Sequence, residues 1–212
     1  MTITRQLTFT LIPASTIIAA IAVTSILLQI EIPLMTRDVT AIADIHPLSG
    51  ILSTLGIMLW CATAAICFFS AAIVHKSNHP HIYKYLLGSA VLSTYLMLDD
   101  AFLFHEGLAP NYIGLNEKVV FFGLGVSVFI LFFTNRHVIL KTNYKILLLA
   151  LSFLCISVII DTILQPWLWR IGHWEFFFED GAKWLGICCW CSYYVSTCHQ
   201  SLLKMQSQTR CS

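Results

Sequence analysis

Long apolar stretches alternate with short polar segments along this chain. Six stretches are long enough for a membrane helix, near residues 8–30, 50–74, 85–106, 117–134, 145–164 and 178–198. A helix needs about 20 mostly apolar residues to cross a hydrocarbon layer roughly 30 Å thick. The pattern therefore predicts an all-α fold, a six-helix transmembrane bundle that makes one integral membrane domain of residues 1–212.

The composition agrees with a membrane setting. Hydrophobic residues make up 58% of the chain and charged residues only 11%, whereas a soluble domain has about 25% charged residues. The formal net charge is +1 and the sequence has no basic stripe, so nucleic-acid binding is not expected. Membrane lipids are the expected partners, and the oligomeric state stays open.

The distribution of Lys and Arg predicts the orientation, because these residues concentrate in cytoplasmic loops. One side of the predicted bundle carries Arg5, Lys76, Lys84, Arg136, Lys141, Lys145, Lys204 and Arg210. The other side carries Arg37, Lys118 and Arg170. Both termini are therefore predicted to be cytoplasmic.

The eleven acidic residues lie on the opposite, outer side, in loops or in the outer halves of helices. They are Glu31, Asp38, Asp44, Asp99, Asp100, Glu106, Glu117, Asp161, Glu175, Glu179 and Asp180. Acidic residues contribute little to membrane orientation, so this one-sided distribution needs another cause. For most of the loop residues, a place in the lipid headgroup layer is a sufficient explanation.

The segment "LMLDDAFLFHEGL", residues 96–108, is different because its acids are deep. Asp99 follows Lys84 by 15 residues, which is roughly 22 Å along a helix. A charged side chain near the middle of a membrane costs about 2.5–3.5 kcal/mol on insertion scales. Asp99 and its neighbour Asp100 are therefore expected to face protein or a wet cavity.

A continuous third helix would place Asp99, Leu103 and Glu106 on one face, with Asp100 beside them. The same helical geometry places the His105 side chain away from that face. The sixth helix supplies a partner in "FFFEDGAKWLG", where Glu179 and Lys183 are four residues apart and Asp180 flanks them. We expect Lys183 to pair with Glu179 and with one of the aspartates of the third helix.

These residues predict a carboxylate-rich pocket open to the outer face. The predicted catalytic residues are Asp99, Asp100, Glu106 and Lys183. The candidate ligands of a divalent cation such as Mg²⁺, Ca²⁺ or Mn²⁺ are Asp99, Asp100, Glu106, Glu179, Asp180 and His105. A structural alternative is an ion pair between Asp99 and Lys183 that only fixes helix packing.

Two functions fit this pocket, and the sequence leaves open whether the protein is an enzyme. The first is a cation-dependent enzyme acting on lipid or headgroup substrates, with acid–base chemistry at the carboxylates. The second is a proton- or cation-binding carrier, or an accessory subunit of a membrane complex. A carrier needs a polar route to the cytoplasm. The cytoplasmic halves of the third and sixth helices contain hydroxyl side chains but no further acidic residue. The pattern favours a one-sided pocket.

Two motifs, "LDDAFLFHE" (98–106) and "EDGAKWLGI" (179–187), resemble those of a family of small, uncharacterised bacterial multi-pass membrane proteins. The segments "LSGILSTLGIMLWCATAAICFFSAAI" (48–73) and "GLNEKVV" (114–120) are similar to that family too. The resemblance extends from about residue 35 to residue 195. It implies a multi-pass architecture in a bacterial inner membrane, and it implies no particular activity.

Overall fold

The structure, a computed structural model, describes residues 3–75, 80–164 and 174–211. These residues are helical and contain no strand. The chain divides into two compact units, residues 1–49 and residues 50–212.

The N-terminal unit contains one long helix and two short ones. Helix α1 spans Ile3–Leu28, α2 spans Ile32–Thr36 and α3 spans Val39–Ile42. Helix α1 ends at Gln29, which adopts a left-handed conformation with φ of 55°. The Ser25 hydroxyl donates a 2.6 Å hydrogen bond to the carbonyl of Ile30 and closes this end of the helix.

The C-terminal unit contains five longer helices and several short segments. They are α4 (Ile51–Val74), α5 (Pro80–Phe102), the π-helical segment π1 (Phe104–Ile113), α6 (Glu117–Thr134), α7 (Arg136–Ile139), α8 (Tyr144–Ile159), the π-helical segment π2 (Ile160–Leu164) and α9 (Trp174–Cys211). Asn116 caps α6, because its side-chain oxygen accepts a 2.9 Å hydrogen bond from the backbone N–H of Lys118.

Helix α4 packs against both α5 and α9, and α9 also packs against α8. The largest fully buried side chains are aromatic and lie where these helices meet: Trp60, Tyr85, Trp190, Tyr193 and Tyr194. Their polar groups are hydrogen-bonded inside the unit, as a low-dielectric interior requires. The core therefore combines apolar packing with a row of specific polar contacts.

Within the described residues, four segments are long and apolar enough to cross a membrane, which indicates an integral membrane protein. They are Leu11–Leu28, Ile51–Val74, Glu117–Thr134 and Tyr144–Leu164. A fifth crossing results if Pro80–Phe102 and Gly107–Ile113, which are bent by 79°, are counted as one. The sixth predicted crossing lies within α9, which is helical but more polar than these four apolar segments.

The predicted helix boundaries agree best where strong local signals exist. The structure has α6 at the predicted residues 117–134, and α4 differs from its prediction by one residue. The third predicted helix, 85–106, is wrong at its C-terminal end, because α5 stops at Phe102. Helix α9 is longer than the predicted 178–198 in both directions.

Gly186 allows α9 to approach α8 closely. A Cβ atom added at Gly186 would lie 2.8 Å and 2.9 Å from side-chain atoms of Leu154 and 3.1 Å from its backbone nitrogen. Helices in lipid gain little from the hydrophobic effect, so close packing at small residues is a main source of their association. At Gly181 in the same helix, a Cβ would meet nothing within 4 Å.

We therefore expect Gly186→Ala to lower the thermal stability of the detergent-solubilised protein, by about 1–3 kcal/mol as is usual for overpacking. Gly181→Ala is the matched control, and should be neutral or slightly stabilising because alanine favours helix. Circular dichroism melting of both variants measures the difference. Equal melting temperatures for the two variants would contradict the close contact.

Candidate functional site

The predicted acidic residues gather at one end of the C-terminal unit, which we call the acidic end. The last turn of α5 contributes Asp99 and Asp100, and α9 contributes Lys183 near its beginning. The opposite end, called the basic end, contains Lys84 at the start of α5 and Lys145 at the start of α8. The site at the acidic end is built from two adjacent carboxylates with separate partners.

A backbone break after α5 shapes the first part of the site. Leu103 has φ of 48° and ψ of 49°, a left-handed conformation that costs energy for a leucine. The chain turns there and continues as π1, so His105 folds back over the end of α5. The prediction that the helix continues to 106, with Leu103 and Glu106 on the face of Asp99, is therefore wrong.

Asp99 and His105 form a buried pair. The His105 Nδ1 atom lies 2.7 Å from Asp99 Oδ2, and the His105 backbone N–H donates a 3.0 Å hydrogen bond to Asp99 Oδ1. Asp99 is 5% exposed and His105 is 8% exposed. The Phe121 ring of α6 packs against the imidazole, with ring centroids 4.5 Å apart. The prediction that His105 points away from Asp99 is wrong, because that prediction assumed an unbroken helix.

Asp100 joins three helices. Its Oδ1 atom lies 2.7 Å from Lys183 Nζ of α9, and its Oδ2 accepts a 3.0 Å hydrogen bond from Trp60 Nε1 of α4. The Asp100 side chain is 10% exposed and the Lys183 side chain is 38% exposed. The predicted pairing of Lys183 with an aspartate of this helix is confirmed, and the partner is Asp100 rather than Asp99.

The two carboxylates therefore have different environments although they are neighbours in sequence. Consecutive positions on a helix are about 100° apart, so Asp99 faces π1 and α6 while Asp100 faces α4 and α9. Each buried carboxylate has a basic or N–H partner, as the cost of an unpaired charge in a low dielectric requires. Both oxygens of each carboxylate therefore have a polar partner within hydrogen-bond distance.

The remaining predicted site residues lie around this centre. Glu179 is half-buried and has an interaction partner, whereas Asp180 is exposed. The side chain of Glu106 lies outside the described residues. Among the side chains that the structure describes, no group of three or more His, Cys, Asp or Glu is placed to hold a metal ion.

Sequence reasoning missed Trp60, which is 40 positions away from Asp100. A signal was present, since the indole N–H of a tryptophan in an apolar helix needs an acceptor when it is buried. The Trp60 ring also contacts Trp190 edge to face, with centroids 5.5 Å apart. Trp190 in turn donates a 3.1 Å hydrogen bond from Nε1 to Ser93 Oγ of α5.

A second polar cluster lies toward the basic end. The hydroxyls of Tyr85 and Tyr193 are 2.8 Å apart, and Tyr193 is also 2.9 Å from the hydroxyl of Thr142. Tyr85 additionally donates a 3.4 Å hydrogen bond to the Tyr194 hydroxyl. The pair Trp60 and Trp190 lies between this cluster and the acidic end.

We expect the Asp100–Lys183 pair to stabilise the protein measurably. Asp100→Asn and Lys183→Met should each lower the melting temperature in detergent, and the double variant should lose less than the sum of the two. Because Lys183 is partly exposed, a coupling energy of about 1 kcal/mol is expected rather than the roughly 3–5 kcal/mol loss of fully buried pairs.

The double-mutant cycle measures this coupling directly. Glu117→Gln, an exposed position in the first turn of α6, is the control, and its effect should add to that of Lys183→Met. Strict additivity of Asp100→Asn and Lys183→Met would show that the contact contributes nothing to stability.

Comparison with known proteins assigns a family to the chain. No curated protein and no solved structure matches it. A family model described as a domain of unknown function, DUF8692, matches residues 13–197, which include all the described residues of the site. The chain therefore belongs to the family of the domain of unknown function DUF8692.

Proposed function

We propose that this chain is a bacterial inner-membrane protein with six membrane-crossing helices, both termini in the cytoplasm, and a one-sided acid–base site at its outer face. The site binds a charged lipid headgroup and hydrolyses its phosphate ester. His105 removes a proton from the attacking water as an ester P–O bond breaks, and it returns that proton to the departing alcohol oxygen. The observation that carries this proposal is the pair of adjacent buried carboxylates with separate partners, His105 for Asp99 and Lys183 for Asp100.

The polar character of α5 and α9 supports their place inside the membrane. Their hydrophilic groups lie against other helices: Ser89, Ser93 and Asp99 in α5 are buried, as are Thr197 and Ser201 in α9. Polar residues of membrane helices usually face the protein interior. Helix α5 has 23 residues and α9 has 38, so both exceed the roughly 20 residues needed for a crossing.

The distribution of charge supports the orientation and the headgroup. Basic residues concentrate at the basic end, which favours the cytoplasm for that end. At the acidic end, Lys183 is partly exposed beside the largely buried Asp100, and the exposed Asp180 lies three residues earlier on the same helix. A site with an exposed ammonium beside an exposed carboxylate suits a zwitterionic headgroup, in which a phosphate and an amine carry opposite charges.

The Asp99–His105 pair supplies the proton chemistry. An ionised carboxylate only accepts hydrogen bonds, so the Nδ1 atom that faces Asp99 carries a hydrogen. Proton transfer then takes place at Nε2, and Asp99 stabilises the imidazolium that forms. The backbone N–H of His105 holds the same carboxylate in place. Positioned histidines of this kind contribute roughly 10²–10⁴-fold to a rate as general acids or bases.

The tryptophan pair favours a one-sided site over the carrier. Between the ionic groups and the tyrosine cluster, the structure places Trp60 and Trp190 side by side. An indole N–H donates a hydrogen bond but cannot accept one, so it does not relay protons. In the described part of the interior, hydroxyl groups continue toward the basic end, but these two rings interrupt their connection to Asp100.

The divalent cation remains a separate prediction about the same residues. Asp99 is already paired with His105 and Asp100 with Lys183, so a cation would have to displace these partners. Metal analysis of the purified wild type beside Asp99→Asn and Glu179→Gln tests it. Near-stoichiometric metal that both variants lose would assign the carboxylates to a cation instead of to the proton transfer proposed above.

The acid–base role is tested with lipids in nanodiscs. Purified wild type is incubated with phosphatidylethanolamine and phosphatidylcholine, and released or altered headgroups are followed by phosphorus NMR. We expect His105→Gln to slow the reaction at least about 100-fold. Lys183→Gln should raise the lipid concentration at which the rate is half-maximal. His137→Gln changes an exposed histidine near the basic end and should leave the rate unchanged.

Two results would overturn the proposal. Equal rates for wild type and His105→Gln would remove the histidine from the chemistry. A wild type that changes neither headgroup, while reconstituted vesicles take up protons in a manner lost in Asp99→Asn, would assign the site to a carrier.

A further inference from the structure

An apolar groove runs between α5 and α6, on the side of α5 that faces away from Asp100. Its volume is about 940 Å³, near the upper end of the roughly 300–1,000 Å³ range of small-molecule pockets. From α5 it is lined by Lys84, Gly88, Val91 and Tyr95, among others. All its lining residues belong to the C-terminal unit, and none of the paired groups of the acidic end is among them.

Two glycines shape the groove. A Cβ atom at Gly88 would lie 2.6 Å from Leu131 Cδ1, so the helices are closest there. A Cβ at Gly123 would meet nothing within 4 Å, so the groove stays open next to that residue. Ser127, the polar lining residue on α6, already donates a 2.8 Å hydrogen bond to the Gly123 carbonyl. The α6 wall is therefore open and presents hydrocarbon to an occupant.

The length of the groove wall that α5 provides matches one half of a bilayer. Lys84 and Tyr95 lie eleven residues apart on α5, which is about 16 Å along a helix. Half of a hydrocarbon layer of roughly 30 Å is about 15 Å. An acyl chain with its headgroup beside Lys84 would reach approximately to the ring of Tyr95.

Among the described residues that line the groove, one is a cation, and it lies at one end. Lys84 is exposed and lines the groove at the basic end, whereas the walls between Lys84 and Tyr95 are almost entirely apolar. A ligand that suits this arrangement carries a negative group at one end and a long apolar chain. Basic side chains at a membrane surface attract anionic lipids by about 1 kcal/mol each.

We propose that this groove binds an acyl chain of an anionic phospholipid from the leaflet at the basic end, with the lipid phosphate beside Lys84. The groove is distinct from the Asp100–Lys183 pair, because it uses another face of α5 and a different lysine. Asp99 and His105 lie beyond its Tyr95 end and are not among its lining residues. This lipid site stands whether or not the headgroup reaction at Lys183 exists.

Native mass spectrometry of the full chain tests the proposal. The detergent-solubilised protein is titrated with phosphatidylglycerol or phosphatidylcholine, and the fraction that retains one lipid is measured. We expect phosphatidylglycerol to be retained about fivefold more strongly by the wild type, which corresponds to about 1 kcal/mol from one lysine. Gly123→Leu should fill the groove and lower this retention about tenfold, and Val119→Trp should do the same from another lining position.

The chain provides a matched control. Gly125→Leu adds the same side chain two residues away, at a glycine that also has open space and does not line the groove, so retention should equal that of the wild type. Lys84→Gln should abolish the preference for phosphatidylglycerol while leaving phosphatidylcholine binding unchanged. Circular dichroism identifies any variant that fails to fold, and Val119→Trp then replaces Gly123→Leu in the comparison.

Each contrary result has a defined meaning. Equal retention in Gly123→Leu, Val119→Trp and Gly125→Leu would place the lipid elsewhere, and the proposal would be wrong. Equal binding of the two lipids by the wild type would show that Lys84 does not select an anionic headgroup. Conversion of an oligomer to monomers by Gly123→Leu, without loss of lipid, would show that a second copy of the chain occupies the groove.

Discussion

The ion pair between Asp100 and Lys183, completed by the Trp60 indole, is the contact on which the arrangement of α4, α5 and α9 depends. A carboxylate in a low-dielectric interior is costly unless both oxygens have partners. Asp100 obtains one partner from each neighbouring helix. A shift of either helix by one turn, about 5.4 Å, would break a contact and leave the charge unpaired. The pair therefore restricts how the three helices slide along one another.

Polar contacts and small residues together account for the packing below this pair. Apolar side chains gain little by leaving lipid for protein, so membrane helices associate through van der Waals contact and hydrogen bonds. Here Trp190 bonds to Ser93 and Tyr85 to Tyr193 across the interface of α5 and α9. Gly186 brings Leu154 of α8 close to α9. The same helix thus combines directional bonds to α5 with close packing against α8.

Helix α5 presents two faces with different chemistry. Ser89, Ser93 and Asp100 follow one another at helical spacing and face the polar interior, whereas Gly88 and Tyr95 line the apolar groove with α6. Rows of residues three or four apart lie on neighbouring strips of a helix surface. A single helix can therefore support a charged site at one end and an apolar binding surface along its length without mixing the two.

The sequence by itself determined the helices and the chemical nature of the site. Apolar length predicted the crossings, including the bounds of α6 at residues 117–134. The cost of burying charge was enough to predict that Lys183 would pair with an aspartate of α5. Only the tertiary structure decided which aspartate, because Asp99 and Asp100 are equivalent in any pattern and the choice depends on how α9 is rotated. It also decided the partners Trp60 and His105. Trp60 is distant in sequence, and His105 reaches Asp99 through a left-handed Leu103, a conformation that a leucine adopts only when surrounding contacts hold it there.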